Sequence, residues 1–308
     1  MRTMLHTTDS VPLSAFGPAH VPAHICKGTK SPSIYRNQGP ANRQSGRRIG
    51  RSLFLLFGKY ILAFLFFVLG ANGALAEIVN VAVAANFTDT AKEIARLFEE
   101  NTGHEAILSF GSSGQFYAQI KQNAPFQVFL SADDERPKQL VADGLGVPGE
   151  EFTYVVGKLA LWSPKPGFVT DGETLRKGQF SKIAIANPDS APYGAAAIEV
   201  MKSLHAYEAL QPKIVLGSSV AQAFQFVKTD NAELGFIALA QIVNQKGGSW
   251  WLVPIKYYRP IRQNAVLLKA GENNPAARAF IAFLKGIVAK SVIEKFGYGT
   301  ELIVSRAE

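Results

Sequence analysis

Four short turns carry the most suggestive chemistry in this 308-residue chain: 85–88 (Ala-Asn-Phe-Thr), 111–114 (Gly-Ser-Ser-Gly), 187–194 and 217–220 (Gly-Ser-Ser-Val). Each follows a short apolar run and precedes a segment with helical spacing. Main-chain amides at a helix start lack partners inside the helix, and the helix dipole adds partial positive charge there. The side chains beside these amides include Ala85, Asn86, Ser112, Ser113, Tyr193, Ser218, Ser219 and Val220, all neutral, and no Lys or Arg falls in any of the four turns. Such a site offers hydrogen-bond donors without a full countercharge, as helix N-termini do for phosphate and sulfate. It suits a small, fully ionised oxyanion. A single Ser or Asn after a strand is ordinarily just a helix cap, so the weight rests on the repetition.

The elements that must position these turns alternate in type. Asn86 is expected to cap a helix, with Asp89 as the acid of a capping box. Phe87, Ala91, Ile94, Ala95 and Phe98 recur at helical spacing and mark that helix's buried face. Ser113 is expected to cap the second helix, and a third is expected over 195–204. Strand-like runs lie at 81–84, 106–110, 128–131, 154–162 with a break at Gly157, 183–186, 213–216, 234–239, 251–255 and 257–268. A helix is expected over 135–143, ended by Gly144 and Gly146, and an amphipathic helical pair over 275–296. This alternation predicts an α/β protein with mainly parallel sheets. Strand crossings near 155–160 and 253–258 divide it into lobe 1 (77–157 plus 258–308) and lobe 2 (158–257). Two lobes joined by a two-strand hinge bind a ligand in the cleft between them.

Residues 1–76 form a separate leader. It holds nine of the 32 basic and one of the 24 acidic residues, leaving 23 of each in the rest of the chain. The net charge of +8 therefore belongs to the leader, which removes the case for nucleic-acid binding. Basic residues through Lys59, the apolar run 61–69 and Ala74-Leu75-Ala76 describe a secretory signal peptide, with cleavage predicted after Ala76. A membrane anchor over 53–69 is the alternative, but Lys59 interrupts it. The only cysteine, Cys26, lies in the leader. The body thus has no disulfide, thiolate metal site or cysteine nucleophile. Of its two histidines, His104 and His205, neither stands near another candidate ligand or base, and both are expected to be structural.

Two other function classes lose support. The 111–114 turn is followed by Gln115 rather than a Lys-Ser/Thr pair, unlike a phosphate-binding nucleotide loop. No nucleophile, base and orienting group form a recognisable set, so a hinge-type α/β enzyme is the weaker reading.

The motifs A-A-N-F-T (84–88), F-G-S-S-G (110–114), P-x-x-x-F-x-S-A-D (125–133), N-P-D-x-A-P-Y-G (187–194), L-G-F-I-A (234–238) and F-G-Y-G (296–299) resemble the periplasmic molybdate-binding proteins of ABC importers, the ModA family. The resemblance spans nearly all of 77–300. It implies a type II periplasmic binding fold in a non-catalytic monomer that captures molybdate, and also tungstate, for an inner-membrane ABC permease. No cofactor is implied, and the molybdenum is held as its oxyanion rather than ligated directly. Carried over by position, the resemblance has Asn86 donate its side-chain amide to the anion, beside the Ala85 amide. Ser113 gives hydroxyl and amide, Tyr193 a hydroxyl, Val220 a main-chain amide, and Ser112 lies alongside. Where some members carry a further Tyr this chain has Ala238, and Tyr193 stands in for it. Gln127 replaces a frequent Asp outside the expected anion shell. A binding protein for sulfate or another small oxyanion is the alternative within the same class. Asp89 and Asp189 lie near the turns, so exclusion of phosphate is a prediction.

Overall fold

The strand β1 (Ile78–Ala84) is buried along most of its length and lies inside a five-stranded sheet ordered β2-β1-β3-β10-β4. Its companions are β2 (Glu105–Gly111), β3 (Val128–Leu130), β4 (Gly146–Gly157) and β10 (Ile261–Leu268). The second sheet is ordered β7-β6-β8-β5-β9, from β5 (Leu159–Ser163), β6 (Ile183–Ala186), β7 (Ile214–Gly217), β8 (Leu234–Ala238) and β9 (Ser249–Leu252). The computed structural model describes residues 76–299. The leader, its signal peptide with cleavage after Ala76, and Cys26 lie outside the described residues.

The two sheets are mixed rather than mainly parallel, which corrects the expectation from alternation. β1 pairs in parallel with β2 and β3, and β6 with β7 and β8. The remaining pairings, β10 with β3 and β4 and β5 with β8 and β9, are antiparallel. The parallel pairs are those built from strand-helix-strand units. β4, β5, β9 and β10 are the strands by which the chain leaves and re-enters each sheet, so no helical crossover imposes a parallel direction on them.

Helix α1 (Thr88–Thr102) buries Ala91, Ile94 and Phe98 and ends at Gly103, whose φ of 74° is the left-handed cap that glycine adopts without penalty. It packs with α8 (Pro275–Lys285) and α9 (Ile287–Lys295) around a core that includes Val81, Val83, Phe98 and Phe280. α2 (Ser113–Lys121) and α3 (Glu135–Ala142) cover the other face, with Phe116, Phe129 and Leu140 between. The second sheet carries α4 (Glu173–Lys177), α5 (Pro192–Ser203), α6 (Tyr207–Leu210) and α7 (Val220–Lys228). Its core includes Leu161, Ile185, Val200 and Phe236, and also Ala84 at the end of the first sheet's β1 and Ala132 two residues beyond β3. The strand ends of the first sheet therefore abut the second sheet's core.

Of the boundaries that differ from the sequence reading, three bear on the site's frame. Gly146 opens β4 instead of ending a helix, because it pairs with Leu268 at the end of β10 and the edge strand runs on from there. β10 begins at Ile261, not Tyr257, because Pro260 has no amide to extend the ladder. Helix α5 begins at Pro192, whose missing amide and fixed φ suit a first helical position, so Tyr193 and Gly194 are helical. The break at Gly157 is present between β4 and β5. A Cβ there would stand 2.2 Å from the Tyr193 hydroxyl and 2.5 Å from Gln263 Nε2, so glycine is required by space.

Candidate functional site

At the first turn, β1 passes into a single 3₁₀ turn (Ala85–Phe87) before α1 begins. Asn86 is not a cap. The cap positions belong to Ala84 and Phe87, and neither makes a side-chain cap bond. Asp89 is no capping acid either: it is exposed, with Lys92 at 3.9 Å. Asn86 is instead buried at 3% exposure, and its Nδ2 donates to Gln263 Oε1 at 2.8 Å and to the Tyr298 hydroxyl at 3.2 Å. Both hydrogens of that amide have acceptors within the protein. The side chain to which the resemblance gives an anion-donor role makes these internal bonds, and the turn also offers its main-chain amides.

At the second turn the cap is Ser112 rather than Ser113. Ser112 Oγ accepts from Gln115 N at 3.3 Å, and Gln115 Oε1 accepts from Ser112 N at 3.1 Å, a reciprocal pair that satisfies two helix-start donors. Ser113 becomes the first helical residue and turns inward. Its hydroxyl oxygen accepts from the Ala132 amide at 2.8 Å in a fully buried setting. At the third turn Tyr193 is buried, and its hydroxyl oxygen accepts from Gln263 Nε2 at 3.2 Å. At the fourth, Ser219 caps α7 by accepting from Gln222 N at 3.4 Å, which leaves Val220 as the buried first helical residue. Ser218 is exposed.

Tertiary structure brings the four turns together. The Gly114 amide donates to Ser190 O at 2.9 Å, joining the second turn to the third. Arg136 adds a second tie, from Nη2 to Asp189 O at 3.2 Å, while pairing with Asp133. Gln263 links the first turn to the third through Asn86 and Tyr193. A cavity of about 210 Å³ lies between Ala85, Asn86 and Thr90 on one side and Ala221 and Phe224 of α7 on the other, with the charged Asp89 and Lys92 also in its lining. The first turn therefore faces α7, the helix that the fourth turn begins.

The electrostatics favour neutral donors. Burial pushes the phenols of Tyr154, Tyr193 and Tyr298 well above their ordinary value, so all three stay protonated at neutral pH. Asp89 and Asp189 are exposed, which keeps both carboxylates solvated. Thr90 lies beside Tyr298. Among the described residues, its Oγ1 is the one buried side-chain polar atom without a bond of acceptable geometry. His104 has a structural partner, its Nδ1 accepting from Glu77 N at 3.1 Å.

The amide hub was missed at the level of sequence. Gln263 and Tyr298 are the residues that engage Asn86, and Tyr154 closes on Gln263 Oε1 at 3.3 Å. A signal existed: Gln263 and Asn264 lie inside the strand-like run of β10, and both are buried. Amides inside a buried strand imply partners.

Residues 79–299 match the family model described as bacterial extracellular solute-binding protein. The chain is 55% identical over 228 residues to the molybdate-binding protein ModA of Rhodobacter capsulatus, covering 74% of this chain and 90% of the relative. It is 54% identical over 235 residues to the ModA protein of Azotobacter vinelandii, covering 75% and 93%. The solved structure of the Azotobacter vinelandii periplasmic molybdate-binding protein superposes with a TM-score of 0.70 at 42% identity, over 72% of this chain and 99% of that one.

Proposed function

This chain belongs to the bacterial extracellular solute-binding proteins and, among them, to the ModA family of molybdate-binding proteins, and from that premise we propose that it captures molybdate between its lobes. The anion shell we assign consists of the main-chain amides at Ala85 and Asn86, the Ser113 hydroxyl and amide, the Tyr193 hydroxyl and the Val220 amide, with Ser112 fixing the start of α2. The observation that carries the reading is the polarity of the two hydroxyls. Ser113 Oγ and the Tyr193 hydroxyl each accept a hydrogen bond from inside the protein, from Ala132 N and Gln263 Nε2. Each keeps its own hydrogen for a ligand. Molybdate and tungstate at neutral pH are tetrahedral dianions with acceptors only, so a shell of donors satisfies every oxygen. Hydrogen phosphate retains a proton that needs an acceptor the shell lacks. The protein works without turnover, as a receptor.

The remaining parts of the proposal follow from the family and the leader. The leader directs export and is removed after Ala76, and the lobes, 77–157 with 258–308 and 158–257, close on the anion in the periplasm. The loaded monomer then delivers it to an inner-membrane ABC permease.

The test is thermal melting of the purified protein with molybdate, tungstate, sulfate and phosphate. A ligand that binds only the folded state at 100 times its Kd stabilises by about 2.7 kcal/mol, which for a domain of this size raises Tm by roughly 5–11 °C. Molybdate and tungstate should give that shift and phosphate none. Equal stabilisation by sulfate would sink the assignment.

A further inference from the structure

The hydrogen bonds around Asn86 have a direction, and a residue more than two hundred positions along the chain sets it. The Tyr298 hydroxyl lies 2.7 Å from the Asn86 main-chain carbonyl. That carbonyl can only accept, so the single Tyr298 hydrogen is committed to it. Towards the Asn86 side chain, 3.2 Å away, the Tyr298 oxygen can then only accept, which obliges Asn86 to present Nδ2. The same Nδ2 stands 2.8 Å from Gln263, which must answer with its oxygen. With Oε1 fixed on Asn86, Gln263 has its nitrogen turned to the Tyr193 hydroxyl at 3.2 Å. Tyr193 must accept there, and its own hydrogen has to leave in another direction. Reversing any member would set two donors or two acceptors face to face among side chains that are all buried, where unmet hydrogen bonds are expensive.

Tyr298 is well placed to hold this order. Its ring meets the edge of Phe87 at 5.2 Å. The following residue, Gly299, is tied to Val156 of β4 by two main-chain bonds of 2.9 and 3.0 Å. The hydroxyl is therefore fixed from both the ring and the backbone.

We infer that Tyr298 is a positioning residue for anion selectivity: acting through Asn86 and Gln263, it fixes the Tyr193 hydroxyl as the acceptor of Gln263 Nε2, so that the Tyr193 hydrogen is left to be donated. The inference rests on the functional reading above, in which Tyr193 meets the anion. Tyr298 itself does not touch the ligand. Its consequence is a preference for oxyanions without a proton, because a Tyr193 free to rotate would accept the proton of hydrogen phosphate.

The test is a titration calorimetry cycle with molybdate and with inorganic phosphate, on the unaltered protein, Y298F, Y193F and the double variant. Y298F keeps the ring against Phe87 and removes only the hydroxyl. It should weaken molybdate binding by about tenfold and narrow the molybdate-to-phosphate preference. In the Y193F background the same change should alter molybdate affinity less than about twofold, because its target is gone. A second variant, Q263E, keeps an acceptor for Asn86 but takes the donor away from Tyr193, and should reproduce the narrowed preference even where Y298F folds poorly. An unchanged preference in Y298F and Q263E, or a Y298F cost that is equal with and without the Tyr193 hydroxyl, overturns the inference while molybdate binding stands. Failure of the unaltered protein to bind molybdate overturns the functional reading and this inference together.

Discussion

Replacing Ser113 by Ala removes one oxygen with an observed task and, on the proposed function, a second one, and their costs can be separated. The first is internal. Ser113 Oγ is the acceptor for the Ala132 amide at 2.8 Å, and Ser113 and Ala132 are 1% and 3% exposed, so the variant leaves a buried N–H without a partner. An orphaned buried donor costs about 1–3 kcal/mol. For a domain of this size that corresponds to a fall of roughly 2–12 °C in the melting temperature of the ligand-free protein. The second task is the proposed one, donation of the Ser113 hydrogen to the anion. A hydrogen bond to a charged partner is worth about 1.5–3 kcal/mol, so molybdate should bind roughly 10–150-fold more weakly. Scanning calorimetry without ligand measures the first number, and titration calorimetry with molybdate, well below the new Tm, measures the second. A variant with the lowered Tm but a molybdate Kd within about twofold of the parent would refute the assigned donor role and leave Ser113 as a bridge to Ala132 alone.

Two further predictions follow from the same contacts. A Cβ added at Gly114 would stand 2.9 Å from Ser190 Cα and 3.1 Å from its carbonyl oxygen, so Gly114→Ala should push the second and third turns apart and speed molybdate release by about tenfold; stopped-flow release at the parent rate would contradict this. The raised phenols of Tyr154, Tyr193 and Tyr298 set an alkaline limit. Their folded-state values exceed the unfolded value of about 10, so the unfolded chain releases protons first; stability from these groups is intact below pH ~10 and is lost as pH rises beyond it. Tm measured from pH 8 to 11 should stay flat with respect to these groups and then fall, and Y154F should reduce the slope.

The sequence by itself determined the parts that depend on short-range pattern. Apolar runs such as 183–186 and 234–238 are strands because they bury side chains on both faces, and the helical spacing of Phe87, Ala91, Ile94 and Phe98 places them in one core. Small polar residues after such runs marked all four turns, since only short side chains leave helix-start amides accessible. What each polar side chain does there was not legible. Asn86 and Ser113 both have the chemistry of caps, and local propensity assigns them so. Tertiary structure overrides that assignment, because a buried amide or hydroxyl goes to whichever partner the fold brings within reach. For Asn86 the partners come from β10 and the chain's far end, 177 and 212 residues away; for Ser113 the partner is Ala132, 19 residues away. Hydrogen-bond direction is a property of that assembled set, fixed only when Tyr298 meets the Asn86 carbonyl, and no single stretch of sequence contains it.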